Sequence, residues 1–453
     1  MLYQHKYIIN KSSLETQPPE FSCYFMFQNI EVFTQKDQLV FNCYQEITNT
    51  TLIQSVSSPA AELRPKLILL LDAISFLVGS PITVYDINFQ SSNTTNQKKF
   101  HSSVESFFRI ETFDNTIILN KIISSLDAET FLIASALDKW NKANYLLNAD
   151  DASVLYLDEA ILNYMHIFEL ISNTVRKSYN DDINNTLEQL LTDFFRKKSF
   201  YSNNAVETKV KEKLKITREI LVGTELHFSD KIKFFLNQHG LLDESTDFLV
   251  DNLIKLRNSI AHGRMVSTMD IMEYPLTPFY NVSGKVKDLV IPLKTLSALC
   301  ISKYVGIDKW HDEWVEIKKY LQPSNYRMKK YIENEQTNVN VNSDDVSNIN
   351  WYSLFIFYIN SNGKTKLKIE DRVKAELKNI PFEELLIPEI FELSIVLCDT
   401  QDVELFNILK KIIKHAVDTR TYPRSNYRDT FIYLEYRNYD TTRIRDIVQT
   451  ILS

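Results

Sequence analysis

The chain has 453 residues, 44% of them hydrophobic and 12% aromatic, which is enough apolar material for packed cores and a length typical of about three domains. Its 58 acidic and 51 basic side chains leave a formal charge of -7. That balance excludes a protein that coats nucleic acid indiscriminately, because such binding rests on many phosphate-neutralising Lys and Arg, yet it leaves room for a local basic groove.

In chain order, residues 1 to about 125 read as mostly strand. Cys23 to Val32 and Gln38 to Ile47 are rich in aromatic and branched residues and flank the turn Gln35-Lys36-Asp37, the pattern of a hairpin. A helix is expected from Ala60 to Val78, where Leu63, Leu67, Leu70 or Leu71, Ile74 and Leu77 recur at helical spacing, and Gly79-Ser80-Pro81 ends it. Ile82 to Phe89 returns to strand, Ser91 to Lys99 is a polar loop, and Phe107 to Phe113 and Thr116 to Leu119 suggest two more strands. From about 127 the pattern is helical: 128 to 147, 152 to 179, 184 to 200, 205 to 222, 229 to 239, 245 to 263 and 294 to 320, with Asp150, Asp151 and Ser245 as expected caps. Met265 to Val290, with Pro275, Pro278 and nearby Pro292, is expected to cross this bundle as a long loop. Gln336 to Asn350 is polar and reads as a linker, after which apolar Trp351 to Asn360 and helices near 369 to 379, 382 to 398 and 402 to 418 make a small last domain. The expected class is therefore α+β: a β-rich domain over 1-126, a helical bundle over 127-335, a linker over 336-350 and a mostly helical domain over 351-453.

Four cysteines lie far apart, at positions 23, 43, 300 and 398, which argues for buried thiols rather than a disulfide framework or a zinc site. The seven glycines form no phosphate-cradling motif, and no His, Cys, Asp and Glu set has metal-ligand spacing, so neither cofactor nor metal is expected. The start Met1-Leu2-Tyr3-Gln4-His5-Lys6 begins no leader and no run of about 18 apolar residues occurs, so the expected address is the cytoplasm, without membrane.

The most informative stretch is DNLIKLRNSIAHGR, residues 251 to 264. At about 100° per residue, Leu249, Leu253, Leu256 and Ile260 make one core stripe, widened by Val250, Ile254 and Ala261, with Arg257 at its margin. Asn258 and His262, four apart, share the opposite polar face. Phase alone allows two readings: a solvated polar pair with Arg257 snorkelling out to a carboxylate, or a functional site. Glu169 bears on both. On the helix over 152 to 179 it continues the series Asp158, Leu162, Met165, among apolar positions where a carboxylate needs a partner, and Arg257 is the evident one, as a structural salt bridge or as an active-site brace. His166 beside it reads as an ordinary interior or interface histidine.

Arg257 and His262 with four residues between them, a polar Asn258 directly after the arginine, Gly263 after the histidine and an acid on an upstream helix resemble the Arg-x4-6-His signature of the HEPN superfamily of helical ribonucleases, over roughly residues 130 to 320. Within it the chain resembles Apea-like HEPN defence proteins, with the further domain after the bundle as a departure. The resemblance implies a HEPN bundle and a metal-independent endoribonuclease, acting as a homodimer in which two motifs form one cleft. It further implies antiviral (abortive infection) defence or toxin activity, cutting RNA such as tRNA under a phage-derived trigger or an antitoxin. The alternative is a non-catalytic HEPN module that binds RNA, a nucleotide or a partner protein.

The residue types suit the chemistry. RNA carries a 2'-hydroxyl beside each phosphate, so internal attack needs only a base for that proton and an acid for the departing 5'-oxygen, and histidine serves both near neutral pH. The arginine fork matches phosphate oxygens and stabilises developing charge. Arg257, His262, Asn258 and Glu169 are thus the expected catalytic set. Arg264, Arg196, Lys197 and Lys198 are the expected RNA contacts, with Lys209, Lys211, Lys213, Lys215 and Arg218 as a further basic series; the alternative for these charged runs is a solvated helix face. The Arg and Tyr residues from Arg420 to Arg445 favour a protein interface over base stacking.

Overall fold

The computed structural model describes the chain except residues 1, 11–22, 36–37, 47–56, 84–86, 95–115, 127–130, 149–155, 224–225, 263–283, 320, 322, 334–338, 345–347, 425 and 437–438. The architecture is α+β: mostly helical, with one small N-terminal antiparallel sheet. Contacts divide the chain into two compact units, Met1–Leu242 with Leu249–Trp314, and Asp243–Phe248 with Val315–Ser453. The expected boundary at 126 thus falls inside the first unit.

The sheet has the order β2-β3-β4-β1-β5, with β1 (Leu2–Asn10), β2 (Tyr24–Phe27), β3 (Ile30–Gln35), β4 (Gln38–Glu46) and β5 (Ile87–Thr94). The hairpin expected around 35 to 37 forms, with Gln35 opposite Gln38 and Val32 opposite Phe41. Cys23 to Val32 is not a single strand, because Gln28, with φ at 53°, turns the chain between β2 and β3. β1 was not singled out in the sequence, yet it pairs on both sides, with Tyr7 opposite Phe41 and Phe89. β5 runs through Ser91 to Thr94, the start of the expected polar loop, because a strand fully paired with β1 meets its backbone hydrogen bonds whatever its side chains. The strand expected over Phe107 to Phe113 lies outside the described residues.

α1 (Ser57–Val78) buries the expected stripe of Leu63, Leu67, Leu70, Leu71, Ile74 and Leu77. It ends at Gly79, whose φ of 82° favours glycine and whose added Cβ would come within 3.2 Å of Trp310. The stretch expected as a strand from Thr116 is instead α2 (Thr116–Leu126): Leu119, Ile122 and Ile123 are buried while Ile117, Asn120 and Lys121 are exposed, a helical phase that a run of branched residues disguises. α3 (Leu132–Asn148) packs on α1 through Trp140, whose ring lies 5.3 Å from Phe76 and 5.4 Å from Trp310.

The helix expected over 152 to 179 is two, α4 (Leu157–Thr174) and α5 (Arg176–Lys197), separated at buried Val175; the expected caps Asp150 and Asp151 lie outside the described residues. α5 pairs with α6 (Asn203–Val222) as a hairpin around Leu191, Val206 and Val210. α7 (Phe228–Gln238) packs on α4, and Phe234 stacks on Tyr179 of α5 at 4.4 Å. α8 (Glu244–Ala261) starts one residue before the expected cap Ser245. Asp243 is the cap instead, its carboxylate accepting from the Thr246 amide at 2.9 Å. α9 (Gly284–Val305) enters the segment expected as loop and carries Pro292 inside it. The expected helix over 294 to 320 stops at Gly306, with φ at 76°, and resumes as α10 (His311–Lys318).

The second unit has its own core around Trp351, Phe355, Phe391 and Leu409. The described part of the expected linker, 339–344 and 348–350, is packed into it: Val341 and Ile349 are buried, and Asn342 accepts from Trp351 Nε1 at 3.1 Å and from the Leu386 amide at 2.9 Å. Arg424 donates to buried Glu392 at 2.5 Å, Arg443 pairs with Asp399 at 2.7 Å and Arg445 with Glu435 at 2.7 Å, so this part of the Arg and Tyr series is used within the unit.

Candidate functional site

α4 and α8 bring the expected residues together because each exposes one edge of a buried stripe. On α4, Ile161, Met165 and Phe168 face the core and Glu169 stands beside them, half-buried. On α8, Leu249, Leu253 and Ile260 are buried, Leu256 is half-buried, and Asn258 and His262 are exposed, as the phase required. Arg257 sits at the margin, and its Nη2 pairs with Glu169 Oε1.

The pair is the edge of a cleft of about 490 Å³, lined by Glu169, Asn173, His227, Phe228, Ser229, Lys231, Ile254, Arg257 and Asn258. Arg257 Nη1 also donates to Asn258 Oδ1 at 3.2 Å, and the guanidinium lies over the Phe228 ring, 5.8 Å from its centroid. The fork is therefore held on two sides in one orientation, while further N–H groups of its five donors remain for a ligand. Because Asn258 Oδ1 accepts from Arg257, its Nδ2 is the end left to donate. The start of α7 supplies His227, Ser229 and Lys231 to the same lining; His227 is the residue before the first turn and makes no side-chain cap hydrogen bond. Lys231 Nζ donates to Asn173 Oδ1 at 2.6 Å.

His262 does not line this cleft. It lies one turn beyond Asn258, exposed, with its amide donating to Asn258 O at 3.1 Å. Arg264 lies outside the described residues. Arg196, Lys197 and Lys198 are exposed at the end of α5, away from the cleft lining, and Lys197 pairs with Asp193 at 3.0 Å. In the other basic series, Lys209 pairs with Glu212 at 2.7 Å and Arg218 donates to Asn180 at 2.7 Å. Sequence reasoning missed His227, Ser229 and Lys231. Their one local signal is a His and a Ser at a helix start; what brings them to Arg257 is the packing of α7 on α4, which no spacing encodes. Among the described residues, no three His, Cys, Asp or Glu side chains gather to hold a metal ion, and no helix is long and apolar enough to cross a membrane.

No family model matches the chain, and neither does any curated protein or solved structure.

Proposed function

We propose that this protein is a metal-independent endoribonuclease of the HEPN type, cutting RNA such as tRNA, in the cytoplasm, as an antiviral (abortive infection) effector or toxin. The observation that carries the reading is the position of Arg257 from the Arg-x4-His segment, braced by Glu169 and Asn258 at the edge of an open cleft. In the proposed reaction a base takes the 2'-hydroxyl proton, that oxygen bonds to the adjacent phosphorus, and the 5'-oxygen leaves with a proton from an acid, giving a 2',3'-cyclic phosphate and a 5'-hydroxyl. His262 moves the proton, Arg257 stabilises the charge building on the phosphate oxygens, and Asn258 Nδ2 donates to phosphate. Arg257 and His262 are five residues apart, about 140° around one helix, so the composite site is formed by the α8 helices of two chains in a homodimer.

One observation favours a second reading. A single chain offers Arg257 and Asn258 to its cleft without His262, which suits a HEPN module that binds RNA, a nucleotide or a partner protein without cutting. Incubation with total tRNA, followed by mass spectrometry of the ends, separates the two. Cyclic phosphate ends formed in the presence of EDTA are expected; intact tRNA favours the binding module, and 5'-phosphate products refute the mechanism.

A further inference from the structure

His227 and Lys231 lie outside the Arg-x4-His segment and on a different helix, yet they line the same cleft as Arg257. The charges there are unevenly matched. Glu169 is taken up by Arg257, whereas Lys231 is held by the neutral amide of Asn173, an acceptor that orients the ammonium group without cancelling its charge. Lys197, Lys209 and Lys142 of this unit each pair with a carboxylate on their own helix, whereas Lys66 and Lys294, like Lys231, donate to a side-chain amide oxygen, of Gln28 and Asn144; of these three, Lys231 is the one that lines the cleft. Glu169, Lys231 and Arg257 together leave one net positive charge among the residues lining the cleft. A volume of about 490 Å³ falls within the range of small-ligand sites, roughly 300 to 1,000 Å³, and so accommodates a nucleotide unit rather than only a bare ion. Asn258 adds a neutral donor, Ser229 lines the cleft with its hydroxyl donating to Asp230 at 3.2 Å, and Phe228 and Ile254 supply apolar surface. Cationic donors from two helices, a neutral amide donor and a partly apolar lining suit a sugar-phosphate backbone.

We infer that this cleft is a backbone subsite for single-stranded RNA, in which His227 and Lys231 contact a phosphate adjoining the one engaged by Arg257. The inference rests on the ribonuclease reading for its choice of RNA, but its test needs no turnover.

The experiment is fluorescence polarisation of the full chain with a labelled single strand of about ten nucleotides carrying 2'-O-methyl groups, which removes the nucleophile, over a salt series. His227→Gln and Lys231→Gln should each weaken binding roughly 5- to 10-fold, and Lys231→Gln should lower the slope of log affinity against log salt by about one. Lys231→Arg should restore both affinity and slope, which a merely structural role for the lysine would not require. Binding within about twofold of wild type in both Gln variants, with an unchanged slope, overturns the inference, as does wild-type protein that does not bind the strand. Failure of the ribonuclease reading looks different: tRNA stays intact while the strand still binds and the two variants still weaken it.

Discussion

Glu169 on α4 and Arg257 on α8 lie 88 positions apart and meet as an ion pair at the edge of the cleft. Both side chains are about a third exposed, so water screens the pair and its contribution to stability is small, about 1 kcal/mol or less. Its consequence is geometric: with Asn258 and Phe228, Glu169 fixes the direction of the guanidinium. Glu169→Ala is expected to lower cleavage by roughly 10- to 100-fold, as loss of a positioning contact does, while shifting the thermal midpoint by only a few degrees. Glu169→Gln, which keeps an acceptor, should recover part of the activity. Wild-type rates in Glu169→Ala would show that the brace is dispensable.

Arg257→Ala and His262→Ala should each abolish RNA cleavage and cell toxicity with the fold intact, since His262 is exposed and Arg257 half-buried at the margin of its stripe. Circular dichroism and a tRNA cleavage assay on the same preparations check this. Activity within a few-fold of wild type in either variant ends the catalytic reading.

The proposed composite site requires two chains. Light scattering at micromolar concentration is expected to give a homodimer, and mixing Arg257→Ala with His262→Ala protein should restore part of the activity through mixed dimers with one intact pair. A monomer of undiminished activity, or no recovery on mixing, counts against facing α8 helices.

Stability should depend on pH through Asp72. Burial pushes its carboxyl up to about 7, although Asn141 donates to it at 2.7 Å. In the unfolded chain the group titrates near its ordinary value of 3.8, so between there and about 7 the folded state binds the extra proton. Stability from this group is therefore complete below the unfolded value and is lost as pH rises through about 7, by up to about 4 kcal/mol. Asp72→Asn keeps an acceptor for Asn141 and should flatten this decline, raising the urea midpoint at pH 7.5 while changing it little at pH 4. Lys294, brought down to about 8 by burial, titrates above this window. An unchanged pH profile in the Asn variant would place the dependence elsewhere.

The helical phase of α8 was legible in the sequence because 3.6-residue periodicity is a local property: Leu249, Leu253 and Ile260 went inward, and Asn258 and His262 outward. A carboxylate among apolar positions needs a partner, which makes Arg257 the evident match for Glu169 from the sequence alone. The α1 stripe and the hairpin at 35 to 38 were legible for the same local reason. What the sequence left open were non-local outcomes. Branched residues from Ile117 to Ile123 suit a strand or a helix equally, and burial against α1 and β2 selected the helix. The polar strand from Ser91 to Thr94 forms because β1 offers it a hydrogen-bonding edge. The polar stretch around Asn342 is packed because its side chain satisfies Trp351 and the Leu386 amide, partners separated from it in sequence. The cleft belongs to the same class: periodicity places a side chain on a face of its own helix, but only the packing of α7 on α4 brings His227 and Lys231 into one cleft with Arg257.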